Sequence, residues 1–149
     1  EIVVKGPQVF SGYWKKPKKT RETLKNGWLH TKDIGKVDQD GILYIEGRMD
    51  DMINSRGEKV WPREVEKIIE KNRKVQEVAV IGVKDDYYGQ TIKACVVLRK
   101  GIKSSEKEII DFCKDKIIFF KLPHKVVFYK ELPKSHLGKI LYYKLREQI

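Results

Sequence analysis

The amino-acid sequence predicts an α+β protein, a small β-rich subdomain followed by a compact mixed unit with a short sheet and flanking helices. Three observations carry that reading. Up to Gly47 the chain is a series of short β-branched runs separated by turn dipeptides, with one polar helical stretch. From Arg48 onward strand-like runs alternate with amphipathic helical patterns. The length, 149 residues, suits one ordinary domain or two small ones and is short for a whole two-substrate enzyme. The expected units are residues 1–47 and 48–149; no Gly/Ser spacer separates them, so the join at Gly47 to Asp51 reads as a short hinge.

In chain order, Glu1 to Lys5 is a β-branched run closed by Gly6 and Pro7. Pro17 to Leu24 has a proline suited to the first helical position, followed by Lys, Arg and Glu, and reads as a short exposed helix. Asn26-Gly27 marks a turn before an extended Trp28 to Thr31. Asp38-Gln39-Asp40-Gly41 then joins Ile34 to Val37 and Ile42 to Glu46 as a hairpin. In the second unit Met49 to Asn54 reads as a strand that pairs with Gly57 to Val60. Pro62 starts a helix reaching about Asn72, with Val65, Ile68 and Ile69 on one face. Val75 to Val83 and Thr91 to Arg99 are strands. Ser104 or Ser105, with Glu108, is placed to cap a helix running to about Lys116, whose buried stripe is Ile109, Ile110, Cys113 and Ile117. Lys125 to Tyr129 is a last strand, Leu132 to Gly138 a loop, and Ile140 to Glu147 a short helix. The second unit is thus expected to hold two or three strands under two helices, with a polar tail.

Composition excludes several classes. At 40% hydrophobic and 36% charged residues the chain is too apolar for a disordered tail, and no run approaches the roughly 18 apolar residues of a membrane helix. Cys95 and Cys113 are too few and too separated for a disulfide framework or a zinc site. They read as buried thiols in a reducing, cytoplasmic protein. The chain begins at Glu1 inside a strand-like run, which suggests a piece excised from something longer. The net charge of +11 suits polyanions such as nucleic acid or phosphorylated ligands. Between Lys114 and Arg146, nine basic residues face only Asp115 and Glu131, a local excess of +7. A basic nucleic-acid-binding module is therefore the alternative to weigh. Against it, the aromatic residues are dispersed and no nucleic-acid motif is present.

Three segments hold polar residues that folding does not require. In Gly27-Trp28-Leu29-His30-Thr31-Lys32-Asp33, a carboxylate follows a short strand and offers two acceptor oxygens to a diol such as ribose. In the charge-dense stretch Gly47 to Lys59, Arg48 could add a donor fork near that diol, and Gly57 could allow backbone to approach a ligand. In Leu132 to Ile140, Lys139 follows a glycine and can reach a phosphate or carboxylate oxygen as a mobile charge. It is not a Walker loop, because Ile140 stands where Ser or Thr is needed.

Taken in order, GWLHTKD, YIEGRMDDMINSRGEKVWPREVE and LPKSHLGKI resemble the C-terminal part of the adenylate-forming acyl- and aryl-CoA synthetases, the superfamily that includes firefly luciferase and peptide-synthetase adenylation domains. The resemblance covers nearly the whole chain. It implies that residues 1–47 are the last β subdomain of a large N-terminal adenylation domain, absent from this sequence, and that residues 48–149 are the mobile C-terminal domain. Asp33 and Arg48 would bind the ATP ribose, Asp50 would be the hinge, and Lys139 would contact the carboxylate and α-phosphate as the catalytic cation. The loop Ser55, Arg56, Gly57, Glu58 and Lys59 would line the pantetheine tunnel. ATP, with Mg2+ in the full-length enzyme, and coenzyme A are the implied cofactors; the substrate would be a carboxylic acid, a long-chain fatty acid or a related one.

The PREVE segment and tunnel-like loop lean toward CoA ligases, with a non-CoA family member as the alternative. Retention of Lys139 argues against a non-catalytic scaffold. Five positions depart from the family pattern: Lys32 replaces a usual glycine, Asn54 a lysine of some relatives, Arg56 a small residue, and Tyr142-Tyr143 a frequently basic pair. The family's phosphate loop and acid pocket lie upstream, so this piece alone is expected to be inactive. The sequence leaves the acid and the oligomeric state open.

Overall fold

The computed structural model describes residues 1–147 and divides into two compact units, the first from Glu1 to Asp50 and the second from Asp51 onward. In the first, β1 (Val3–Val4), β3 (Trp28–His30) and β2 (Leu24–Lys25) form an antiparallel sheet in the order β1-β3-β2. The helix α1 (Pro17–Thr23) precedes β2, with its proline in the first turn as the sequence predicts. Asn26 and Gly27, both at positive φ (52° and 79°), make the tight turn from β2 to β3. A second antiparallel pair, β4 (Asp33–Val37) and β5 (Leu43–Arg48), turns at Asp38, whose Oδ1 accepts from the Asp40 and Ile42 amides. That register sets Asp33 directly opposite Arg48.

The second unit carries a five-stranded sheet built from β6 (Ile53–Ser55), β7 (Glu58–Val60), β8 (Val75–Asp85), β9 (Gly89–Leu98) and β10 (Lys125–Phe128). The antiparallel β8–β9 hairpin is its axis. On the other side of β9 lies β10, parallel to it and reached through α3 (Glu106–Lys114), while β6 meets the start of β9 at Ser55↔Gly89 and pairs with β7. The expectation of two or three strands is corrected to five. The expected strand Met49 to Asn54 is also shorter, because Met49–Asp51 coil into a 3-10 turn before β6.

Both faces of the hairpin are covered, which explains the nearly unbroken apolar runs of β8 and β9. On one face α2 (Pro62–Ile69) and α3 bury Val65, Ile69, Ile109 and Cys113 against Val78, Val80, Ile92, Ala94 and Val96. Ile110 and Ile117 are only partly buried at its margin. On the other face Ala79, Ile81, Cys95 and Val97 pack against Leu132, Ile140, Tyr142 and Leu145, the last two from α4 (Tyr142–Glu147). The C-terminal segment therefore closes a second core, where the sequence suggested a polar tail. Fully burying each such Ile, Leu or Val side chain is worth roughly 1.5–3 kcal/mol.

The start of α3 realises the expected capping box: Ser105 Oγ accepts the Glu108 amide at 3.2 Å and Glu108 accepts the Ser105 amide at 3.3 Å. Hydrogen bonds from Ser104 and Lys74 hold the Glu108 carboxyl far below its usual range, at about 2. Ser105→Ala should lower stability by about 1 kcal/mol and the unfolding midpoint of the chain by about 2–4 °C, read by thermal melting in far-ultraviolet circular dichroism. An unchanged midpoint would mean the box does not stabilise α3.

Candidate functional site

The first unit gathers its polar residues at the β3–β4 junction and the end of β5. Arg48 Nη1 donates to Asp33 Oδ1 at 2.9 Å, a consequence of the strand register, and its Nη2 reaches the Thr31 carbonyl at 3.5 Å. Thr31 Oγ1 donates to the Ile2 carbonyl (2.7 Å) and accepts the Asp33 amide (3.0 Å), which fixes the turn that presents the carboxylate. Lys32 occupies this turn at φ 62°, in the left-handed region that favours glycine. Its Nζ donates to both Asp50 carboxylate oxygens at 3.1 Å. The lysine thus grips the expected hinge residue, although such an exposed pair contributes little to stability.

In the second unit the expected loop Ser55 to Lys59 is a β-hairpin. Ser55 ends β6, Glu58 and Lys59 begin β7, and only Arg56 (φ 58°) and Gly57 (φ 81°) form the turn. A Cβ on Gly57 would meet nothing within 4 Å, so the dihedral requires the glycine here, and no close backbone approach does. Ser55 Oγ is buried and has no hydrogen-bond partner among the described residues, whereas Arg56, Gly57, Glu58 and Lys59 are exposed.

Arg56 leans back over the Tyr88 ring (4.4 Å) and bonds His124 Nε2 at 2.9 Å. A guanidinium only donates, so the His124 imidazole accepts in its neutral form. Burial, then the Arg56 charge, lowers its pKa; Asp85 opposes them. Tyr88 and His124 lie 32 and 68 positions from Arg56, and no spacing in the sequence links the three.

Lys139 stands near the tip of a second hairpin. The Ser135 amide donates to the Lys139 carbonyl (2.8 Å), the Lys139 amide to Ser135 Oγ (3.2 Å), and the Gly138 amide to the Ser135 carbonyl (2.9 Å). A Lys134↔Ile140 bridge and the Leu141 amide bonded to Pro133 oxygen close the base. The backbone is held while the Lys139 side chain is exposed, as is His136. Such a cation can approach an oxyanion without dismantling an existing ion pair.

The charge around it needs correcting. Of the nine basic residues from Lys114 to Arg146, four are already matched: Lys114 with Asp111, Lys121 with Glu64, Lys134 with Glu77 and Arg146 with Asp51. The local excess of +7 is therefore not one continuous anion-binding face. Among the described residues no three His, Cys, Asp or Glu side chains come together as metal ligands, and no helix is long and apolar enough to cross a membrane.

With the geometry in place, comparison with known proteins is informative. The model of the AMP-binding enzyme C-terminal domain family matches residues 64–139. A "Long-chain-fatty-acid--CoA ligase" of Bacillus subtilis (strain 168) is 45% identical over 148 residues, 99% of this chain and 26% of the ligase. A "2-succinylbenzoate--CoA ligase" of Bacillus cereus (strain Q1) is 42% identical over 149 residues, 100% of this chain and 31% of the ligase. The crystal structure of ATP-bound MatB from Rhodopseudomonas palustris superposes with a TM-score of 0.92 at 37% identity, covering 97% of this chain and 29% of MatB. The chain thus spans about a quarter to a third of the length of these relatives.

The Arg56–His124 contact has a direct readout. In an NMR titration the His124 ring should change protonation below the ordinary imidazole value of about 6.5. Arg56→Ala should raise the midpoint part of the way back, since burial remains the first cause of the shift. Equal midpoints in the two proteins would mean that Arg56 does not rest on His124 in solution.

Proposed function

The chain belongs to the AMP-binding enzyme C-terminal domain family, and from that premise we propose that it is part of an ATP-dependent carboxylic acid–CoA ligase. Residues 1–47 are read as the terminal β subdomain of the large adenylation domain and residues 48–149 as the mobile C-terminal domain. The observation that carries the reading is Lys139, an exposed cation on a backbone-braced hairpin at the end of the matched segment.

The chemistry follows from charge. A substrate carboxylate attacking the α-phosphate of ATP brings two anions together, and the leaving pyrophosphate carries more negative charge away. A positioned ammonium stabilises the charge that develops at the reacting oxygens, and Lys139 supplies it. Asp33 takes the ribose hydroxyls. Arg48, bonded to one Asp33 oxygen, orients that carboxylate and leaves the other oxygen's acceptor sites toward the diol. Mg2+ would accompany ATP in the parent; none of this chain's residues is assigned to it.

Rotation about Asp50 then brings the Ser55–Lys59 hairpin to the adenylate for attack by the CoA thiol. The division of the chain between Asp50 and Asp51 suits that pivot. Asp50 is tied to Lys32 within the first unit and Asp51 to Arg146 within the second, so the two neighbours are each held on their own side of it. At the hairpin tip Gly57 leaves a low, uncrowded profile toward pantetheine, and Arg56 supplies a cation.

Two ligases named for chemically unlike acids resemble this chain at 45% and 42% identity, which supports placing acid selection in the portion outside it. The substrate is proposed as a carboxylic acid of the fatty-acid kind, in keeping with the 45% relative. Cys95 and Cys113 are free and buried, as the sequence suggested, in keeping with a reducing cytoplasmic setting.

In the full-length protein, Lys139→Ala should lower adenylate formation, measured by pyrophosphate exchange, by about 10²–10³-fold. Thioester formation from supplied acyl-adenylate should largely survive. Unchanged exchange would remove Lys139 from the reaction.

A further inference from the structure

Tyr142 has a partner the sequence did not reveal. It opens α4 three residues after Lys139, and its hydroxyl donates to Glu66 Oε1 at 2.9 Å. Glu66 lies on α2 with its side chain 1% exposed. The same Oε1 accepts the Val80 amide at 2.9 Å. Because, among the described residues, β8 pairs only with β9, this amide lies on the strand's outer edge, and the carboxylate covers it. Arg63 Nη1 approaches Oε2 at 3.4 Å from a half-exposed position and bonds Glu70 at 2.6 Å. Burial raises the Glu66 carboxyl pKa against the opposing bonds from Val80, Tyr142 and Arg63, and burial together with Glu66 raises that of the Tyr142 phenol, which therefore keeps its O–H as the donor.

Between Lys139 and this anchor lie only Ile140 and Leu141. Ile140 bridges to Lys134, and the Leu141 amide bonds the Pro133 carbonyl. No free backbone slack separates the buried bond from the functional lysine. We propose that Tyr142 is a positioning residue for the step assigned to Lys139: its bond to Glu66 pins the root of the Lys139 hairpin to α2 and the edge of β8. The proposal rests on the role given to Lys139 above. The two adjacent tyrosines differ in setting: Tyr142 meets a buried carboxylate, while Tyr143 is exposed.

The test uses the full-length protein and follows both half-reactions in Tyr142→Phe, Glu66→Gln and Tyr143→Phe, beside Lys139→Ala. Tyr142→Phe keeps the ring and deletes the donor. It should lower kcat for pyrophosphate exchange about tenfold, the scale of one hydrogen bond to a charged group. The KM for ATP and thioester formation from supplied acyl-adenylate should stay unchanged. Glu66→Gln keeps the Val80 bond and weakens the bond from Tyr142, so it should show the same split with a smaller loss. Tyr143→Phe should behave as the unsubstituted protein. A parallel fall in both half-reactions would make the Tyr142 role merely structural and overturn the proposal. So would full exchange activity in Tyr142→Phe alongside collapse in Lys139→Ala, and there the Lys139 reading would stand. Full exchange activity in Lys139→Ala would overturn both.

Discussion

The second unit depends on how it accommodates one buried carboxylate. An ionised side chain taken out of water costs several kcal/mol unless its oxygens are bonded. Glu66 meets that requirement with three donors from different parts of the chain: the Val80 amide, the Tyr142 hydroxyl and the Arg63 guanidinium. Each donor belongs to a different element, so satisfying the charge locates α2, the edge of β8 and the root of α4 relative to one another. A purely apolar contact would hold these elements together, but without fixing their register.

That junction links fold to chemistry. The β8–β9 hairpin is buried on both faces, and the C-terminal segment forms the second core through Leu132, Ile140 and Leu145. The Lys139 hairpin emerges between Leu132 and α4, so both its ends are rooted in packed structure while its tip is in solvent. A cation that must meet a reacting oxyanion benefits from this arrangement, because within its own unit the backbone that carries it is already held and only side-chain rotamers remain to be ordered. The Arg56-Gly57 turn follows the same design, a short exposed tip on paired strands, with Arg56 resting on Tyr88 and His124.

Local grammar was readable from the sequence. Ser105 and Glu108 announced their capping box, Asp38 to Gly41 its turn, and Pro62 the start of α2, because each depends on residues within one turn of one another. The α+β class followed from such local patterns, while the family was legible only as a resemblance carried by three motifs in order, GWLHTKD, YIEGRMDDMINSRGEKVWPREVE and LPKSHLGKI. What the sequence concealed was long-range. The parallel placement of β10 beside β9 joins residues 32 positions apart, and the second face of the sheet could not be told from a solvated one until α4 was seen covering Cys95 and Val97. The burial of Glu66 went unread, although an acid beside Val65 and Ile69 on the buried face was a usable signal. The pairing of basic residues between Lys114 and Arg146 was likewise invisible, because the acids Glu64, Glu77 and Asp51 come from distant segments.

The central claim is that Lys139 is the cation brought to the reacting oxygens during adenylation. The most direct measurement is the modification rate of each lysine in the full-length protein by a small amine-reactive reagent, resolved by mass spectrometry, with and without ATP and a carboxylic acid substrate. Lys139 should react readily in the free protein and be selectively protected when both substrates are bound, while Lys130 and Lys144 react at the same rate in both states. Equal reactivity of Lys139 in the two states would contradict the account.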